Sequence, residues 1–249
     1  MPWIRHTYIT VPDGFDESKS LVKSSKNLTF VLESTFVPKR FLPTFNSNVV
    51  ESWLWRLPNL ANNFVYMNDD MYIGRLTSPT DFFSENSHNS HNIHSIPILR
   101  HESGPTRHSS PTSTNTLINS SIPYVRMWVG AINKYNLNFT RIQHQALPQQ
   151  VSIMKDLYNR YKHDIDTASK NKTRSGEHDF NLLRFSSSFA VMDGHSLLKV
   201  THESTDYFCE SNESKKIKHI LKIRPMFFCI NNNSAANIQV YDMLKAYYT

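Results

Sequence analysis

No run of eighteen apolar residues occurs in the chain, so no membrane-spanning helix is expected from it. The opening MPWIRHTYITV has neither the basic start nor the long apolar core of a secretory signal peptide, so none is expected there. Cysteine is scarce. Cys209 and Cys229 suffice for one bridge in an oxidising compartment, and two scattered thiols are equally ordinary in a reducing one. Apolar residues make up only 39% of the 249, and mean hydropathy is -0.47, the profile of an ordered domain diluted by polar loops. Negative charge is in deficit as well. Twenty-seven Lys and Arg against 21 Asp and Glu leave a net charge of +6, beside 12 His, and such a surface attracts anions. Nucleic acid, acidic lipid and nucleotide phosphates all satisfy that charge. Nucleic acid has the weakest case, because the basic stretch SKKIKHILKIR at 214–224 comes without interleaved aromatics or a recognition motif.

Asparagine, serine and threonine are abundant instead. Six Asn-x-Ser/Thr sequons begin at Asn27, Asn119, Asn138, Asn171, Asn212 and Asn232. With 23 Asn and 46 Ser plus Thr in the chain, about four arise by chance. The sequons therefore do not fix a compartment.

Local patterning sets out an α/β order. IRHTYITV at 4–11 reads as a strand closed by the turn PDG, and LTFVL at 28–32 as a second strand. In LPTFNSNVVESWLWRLPNL, Asn46 or Ser47 caps a helix whose apolar face is Val49, Val50, Trp53, Leu54 and Leu57, with Pro58 closing it. The strand NNFVYM follows and runs straight into Asn68, Asp69 and Asp70. Strand, helix, strand implies a parallel sheet with crossover helices, and in open sheets of that kind ligands gather beyond the carboxyl ends of strands. Two adjacent carboxylates repel unless water, a cation or a metal-bound phosphate shares their site. The competing reading of these residues is a polar turn after a strand.

From Ser84 to about Pro123 the chain is rich in Ser, Asn, His and Thr, and an exposed, mobile insertion is expected. His88, His91 and His94 repeat every three residues there, as a metal site or as solvated low-complexity sequence. Helices are expected at 124–137, over LPQQVSIMKDLYNRYKHDI and over HDFNLLRFSSSFAVM, and strands near 196–202 and 216–223. The strand MFFCI, the polar turn NNNS and a closing helix from about Ala235 to Tyr247 complete the chain. Asn231 to Asn233 thus repeat the first cluster in form, and two polar strand ends beside helix N-termini would cradle a phosphate. Between them lie His144, a residue type suited to general base work, and Arg174, suited to clamping phosphate.

PWIRHTYITVPDG, LPTFNSNVVESWLWRLPNLANNFVYMNDDMYIGR, NKYNLNFTRIQHQALPQQVSIMKDLYNRYKHDI, KTRSGEHD and FFCINNN occur in the order and approximate spacing of the Stealth family. The chain resembles that family over about two thirds of its length. It includes bacterial capsular-polysaccharide sugar-phosphate transferases and the eukaryotic N-acetylglucosamine-1-phosphotransferase alpha/beta subunit. The resemblance implies a Rossmann-like, three-layer α/β fold similar to nucleotide-sugar transferases. It divides the chain into 1–83 (second conserved region), the polar insertion 84–123, and 124–249 (third and fourth conserved regions).

The implied activity is transfer of a sugar-1-phosphate, N-acetylglucosamine-1-phosphate first among candidates, from a UDP-sugar to a hydroxyl of an acceptor glycan or glycoprotein. By position, Asp70, His144 and Arg174 would be catalytic. Asn46, Ser47, Asn68, Asn231 and Asn232 would bind substrate, and Asp69 with Asp70 would hold a divalent metal, Mg²⁺ by preference. A homo-oligomer is compatible with this reading, and the compartment would be the Golgi lumen for a full-length eukaryotic protein or the cytoplasm or membrane surface for a bacterial one. Three departures stand out. The first conserved region with its WVDG-like acidic strand is not matched, nor is the arginine-containing helix before PW, and Asn232 stands where the family has Asp. These departures lead to the expectation that residues 1–249 alone turn over slowly, and they keep open the alternative of an inactive module that binds sugar nucleotide or a partner protein.

Overall fold

The structure is a computed structural model, and it describes residues 2–86, 94–102, 146–174, 180–192, 197–201, 207–210, 214–231 and 238–248. They form a mixed α/β protein with small sheets, divided into two compact units. The first unit draws on Met1–Phe64 and Gln149–His195, the second on Val65–Ser109, Asn136–Pro148 and Ser196–Thr249.

In the first unit, β1 (Thr7–Val11) pairs in parallel with β2 (Leu28–Leu32), from Thr7 opposite Leu28 to Val11 opposite Leu32. Both strands lie where alternating β-branched and aromatic residues place them. Helix α1 (Ser47–Ser52) follows, then a single 3-10 turn, Leu54–Arg56. Its apolar side carries Val49 into the core, and Trp53 follows as the anchor at 1% exposure. The Trp53 ring stacks on Phe41 and meets Tyr158 edge-on, while its Nε1 donates to Ser169 Oγ at 3.1 Å. Helix α2 (Val151–Arg160) buries Met154 and Leu157, α3 (Lys162–Ala168) buries Ile165, and α4 (Leu182–Met192) buries Leu182, Leu183 and Phe185. Polar contacts join α1 to the start of α4. Asn181 Nδ2 donates to Asn48 Oδ1 at 3.0 Å and to Glu51 Oε2 at 2.5 Å, and Leu182 N–H donates to Ser52 Oγ at 2.9 Å. A buried Glu51 is tolerable because it is held in this way.

Among its described residues the second unit contains two three-stranded sheets. In one, β4 (Met71–Ile73) runs antiparallel to the central β10 (Phe227–Asn231), and β9 (Tyr207–Glu210) runs parallel to it on the other side. Helix α5 (Ser214–Ile223) lays Ile217 and Ile220 against Phe228 and Ile230, and α6 (Ile238–Tyr248) adds Met243 and Leu244 to that core. In the other sheet, β5 (Phe83–Asn86) and β6 (His94–Glu102) are antiparallel, and β6 runs parallel to β8 (Leu197–Thr201).

Several expectations are corrected here. The strands at 63–67 and 226–230 do not share a sheet. The first, β3 (Asn63–Tyr66), forms a two-stranded ladder with β7 (Leu147–Gln150), whereas β10 takes the short β4 as its neighbour. Residues 216–223 are helical, because Ile217, Ile220 and Leu221 recur at helical spacing and lie on the core of β10. LPQQ is β7 rather than the first turn of a helix. The polar segment after Ser84 supplies regular strands at β5 and β6, since the apolar run IPIL supports pairing and Ile98 is buried. The remainder of that segment, with His88 and His91, and the helix expected at 124–137 lie outside the described residues. Among the described residues no helix is long and apolar enough to cross a membrane.

Candidate active site

The carboxylates of the second unit sit on a turn between β3 and β4. Met71 N–H closes that turn on Asn68 O at 3.3 Å, and the Tyr66 hydroxyl donates to Asn68 Oδ1. Asn68 therefore shapes the turn with its side chain. Beyond the register pair Cys229–Met71, the Ile230 N–H donates to Asp70 O at 3.0 Å. The acidic turn is thereby fastened to the last residues of β10, immediately before Asn231. Two segments 160 residues apart are brought to one place, as the similarity of the two strand ends suggested, though through β4 and not through β3.

Asp70 is the half-buried member of the pair, and Asp69 is exposed. Asp70 Oδ2 accepts a hydrogen bond from the Cys229 thiol at 3.2 Å. Its other oxygen, Oδ1, is buried and has no hydrogen-bond partner among the described residues. An unsatisfied buried carboxylate oxygen is costly, and it marks a point where a ligand atom would be welcome. Among those residues no group of three or more His, Cys, Asp or Glu gathers to enclose a metal. The donors on offer are two carboxylates on one open turn.

Tyr72 reports on the charge of this turn. Burial is the main cause pushing its phenol above the usual range, and the Asp70, Cys229 and Asp69 charges push the same way. Its ring stacks on Phe228 at 5.1 Å and 10°. In Asp70→Asn, the Tyr72 phenol should ionise at lower pH than in the parent, because one opposing charge is gone while burial remains. Ultraviolet difference titration against a Tyr72→Phe control reads this directly, and an unchanged midpoint would place the Asp70 charge elsewhere.

The first unit holds the other described candidates. Asn46 caps α1, accepting from Asn48 N–H at 3.1 Å, and its Nδ2 donates to Asn171 O and Thr173 O, each at 3.4 Å. It is 1% exposed, so it ties the segment before Arg174 to the start of α1 and presents no face to solvent. The exposed Arg174 donates from a guanidinium nitrogen to Ser47 Oγ. Lys172 Nζ donates to Phe41 O at 2.8 Å and Phe45 N–H to Lys172 O at 2.8 Å, which fix the same segment. Asn46→Ala should cost about 1–2 kcal/mol in thermal or denaturant unfolding, from the lost cap and the freed segment. Asn46→Asp keeps the cap acceptor but cannot donate, so it should fall between the two. Equal stability of all three proteins would refute this account.

Arg174, Ser47 and Asn46 thus belong to one unit, and Asn68, Asp69, Asp70 and Asn231 to the other. His144 and Asn232 lie outside the described residues. Of the two states left open for the cysteines, the structure has the unbridged one at Cys229, which is a thiol, and the register sets Cys209 opposite Ile230. Sequence reasoning missed the Cys229 contact, the Asn171–Thr173 clamp and Gly74. Only Gly74 carried a signal, as a glycine at a strand end where backbones approach closely.

Residues 1–91 match the family described as Stealth protein CR2, conserved region 2. Over 97% of its length the chain is 29% identical to the capsular polysaccharide phosphotransferase fcs1 of Haemophilus influenzae, covering 65% of that protein. It is 28% identical over all of its length to the capsular polysaccharide phosphotransferase of Actinobacillus suis, covering 68% of it. It is 30% identical over 74% of its length to the capsular polysaccharide phosphotransferase cps1A of Actinobacillus pleuropneumoniae, covering 48% of that one. Residues 1–91 are thus similar to the second conserved region of the Stealth proteins. More particularly, the chain is similar to these bacterial proteins over most of its own length, and it spans about half to two thirds of theirs.

Proposed function

We propose that this chain is part of a phosphotransferase that moves a sugar-1-phosphate from a UDP-sugar to a hydroxyl of an acceptor glycan. N-acetylglucosamine-1-phosphate is the first group to test, and a Rossmann-like, three-layer α/β fold similar to nucleotide-sugar transferases belongs to the same reading. The observation that carries it is the acidic turn fastened to the end of β10, with Asp70 Oδ1 left unpartnered, in a homologue of capsular polysaccharide phosphotransferases.

In the proposed reaction the acceptor oxygen attacks the β-phosphorus of the donor. The bond from that phosphorus to the bridging oxygen breaks, UMP departs, and the hydroxyl proton passes to His144 acting as general base. Arg174 would hold phosphate oxygens with its planar fork, and its bond to Ser47 supports a fixed orientation for that fork. Asn231 and Asn232 would line the donor. Asp69 and Asp70 would hold a divalent cation, and their hard oxygens suit Mg²⁺, which binds through one or two carboxylates plus substrate phosphates. Bound there, it would neutralise the diphosphate.

The test is transfer of label from UDP-N-acetylglucosamine and other UDP-sugars to a capsular oligosaccharide, with and without Mg²⁺. Arg174→Lys should lose about tenfold or more in kcat/KM, because an ammonium cannot make the two parallel bonds. Donor binding without transfer by any UDP-sugar would favour the binding-module alternative. Neither binding nor transfer would end the proposal.

A further inference from the structure

We infer that Cys229 is a positioning residue for Asp70. The inference rests on the functional reading above only in giving Asp70 a ligand to meet. The Cys229 side chain is fully buried at 0% exposure on the central strand β10. Its thiol is 3.2 Å from Asp70 Oδ2, and the strand register fixes that approach, with Cys229 opposite Met71 and Ile230 N–H bonded to Asp70 O at 3.0 Å. The backbone bond sets where the Asp70 main chain lies, and the thiol sets which way the carboxylate turns. One oxygen is thereby committed to the strand, and the other, Oδ1, is left buried and without a hydrogen-bond partner among the described residues.

An Asp on an exposed turn ordinarily rotates to wet both oxygens. Holding Oδ1 in a dry, unpaired position has a cost, and the thiol is the described side chain that offsets it by satisfying Oδ2. A weak S–H donor is suited to this place. It fills a fully buried position on β10, yet it still directs a carboxylate. Cys229 thus stands behind the ligand-facing atom as outer partners stand behind metal ligands, by orienting them.

The experiment compares the parent chain with Cys229→Ser, which keeps a donor, and with Cys229→Ala and Cys229→Val, which do not. Valine preserves the buried bulk and serves as the folded control if alanine fails to fold. Mn²⁺ binding, read from the loss of the free-ion electron paramagnetic resonance signal, should weaken about tenfold or more in the valine and alanine variants. It should stay within about threefold in the serine variant. Melting temperature should not track that loss, with valine at least as stable as serine. Parent-like Mn²⁺ affinity in Cys229→Val, or a serine variant as weak as valine, would overturn the inference. If the parent binds no Mn²⁺, the metal part of the functional proposal fails by itself. Cys229 is then judged on crystal structures of the variants. Asp70 leaving its place in Cys229→Val and regaining it in Cys229→Ser supports the role, and Asp70 unmoved in Cys229→Val refutes it.

Discussion

Replacing His144 with alanine should slow the proposed sugar-phosphate transfer by about 10²- to 10⁴-fold while leaving the donor KM within about threefold. A general base acts on the acceptor proton in the transition state and contributes nothing to holding the donor beforehand. Asp70→Asn should behave differently. The amide removes the carboxylate oxygen that the Cys229 thiol leaves unpartnered, and with it one charge that would face the proposed cation. Several kcal/mol of transition-state charge stabilisation depend on such a ligand, so turnover should fall by about 10²- to 10³-fold. Here the Mg²⁺ concentration giving half-maximal rate should rise as well. Steady-state kinetics with UDP-sugar and Mg²⁺ varied separately distinguish the two losses. A His144→Ala enzyme turning over within threefold of the parent would remove His144 from the reaction. A Mg²⁺ dependence unchanged in Asp70→Asn would remove the metal from Asp70.

What the sequence made legible was local. Alternating residues marked β1, β2 and β10, and the helical spacing of Val49 and Trp53 marked α1 and its continuation. The acidic turn was visible because carboxylates seldom follow an apolar strand without a reason. The partners of each strand were not visible. MYI at 71–73 is too short to announce itself as β4, yet it is the neighbour that fastens Asp70 to β10. The segment SKKIKHILKI alternates well enough to pass for a strand, and only packing against Phe228 and Ile230 favours its helical face. The Asp70–Cys229 contact spans 159 residues. It depends on a strand register that no local pattern encodes.

Gly74→Ala should destabilise the second unit by about 2–4 kcal/mol. Gly74 is buried at the end of β4, its N–H donating to Met226 O at 3.0 Å and its carbonyl accepting from the Tyr247 hydroxyl. A Cβ at this position would lie 2.1 Å from Pro225 O and 3.2 Å from Pro225 C, with Phe228 Cδ1 at 3.4 Å. The two nearest atoms are backbone and cannot rotate aside as a side-chain tip would, so β4 has to draw away from β10. That movement strains the pairs Ile73–Phe227, Tyr72–Phe228 and Met71–Cys229, and beyond them the bond from Ile230 N–H to Asp70 O. Stability and the acidic turn therefore suffer together. Amide hydrogen exchange should accelerate in β10 while α2 and α4 of the first unit keep their protection. The unit's melting transition should drop by roughly 10 °C or more. Gly14→Ala is the matched control, because a Cβ there meets nothing within 4 Å. If Gly74→Ala melts like Gly14→Ala, with exchange in β10 unchanged, then β4 is not held against β10 and the placement of Asp70 beside Cys229 fails with it.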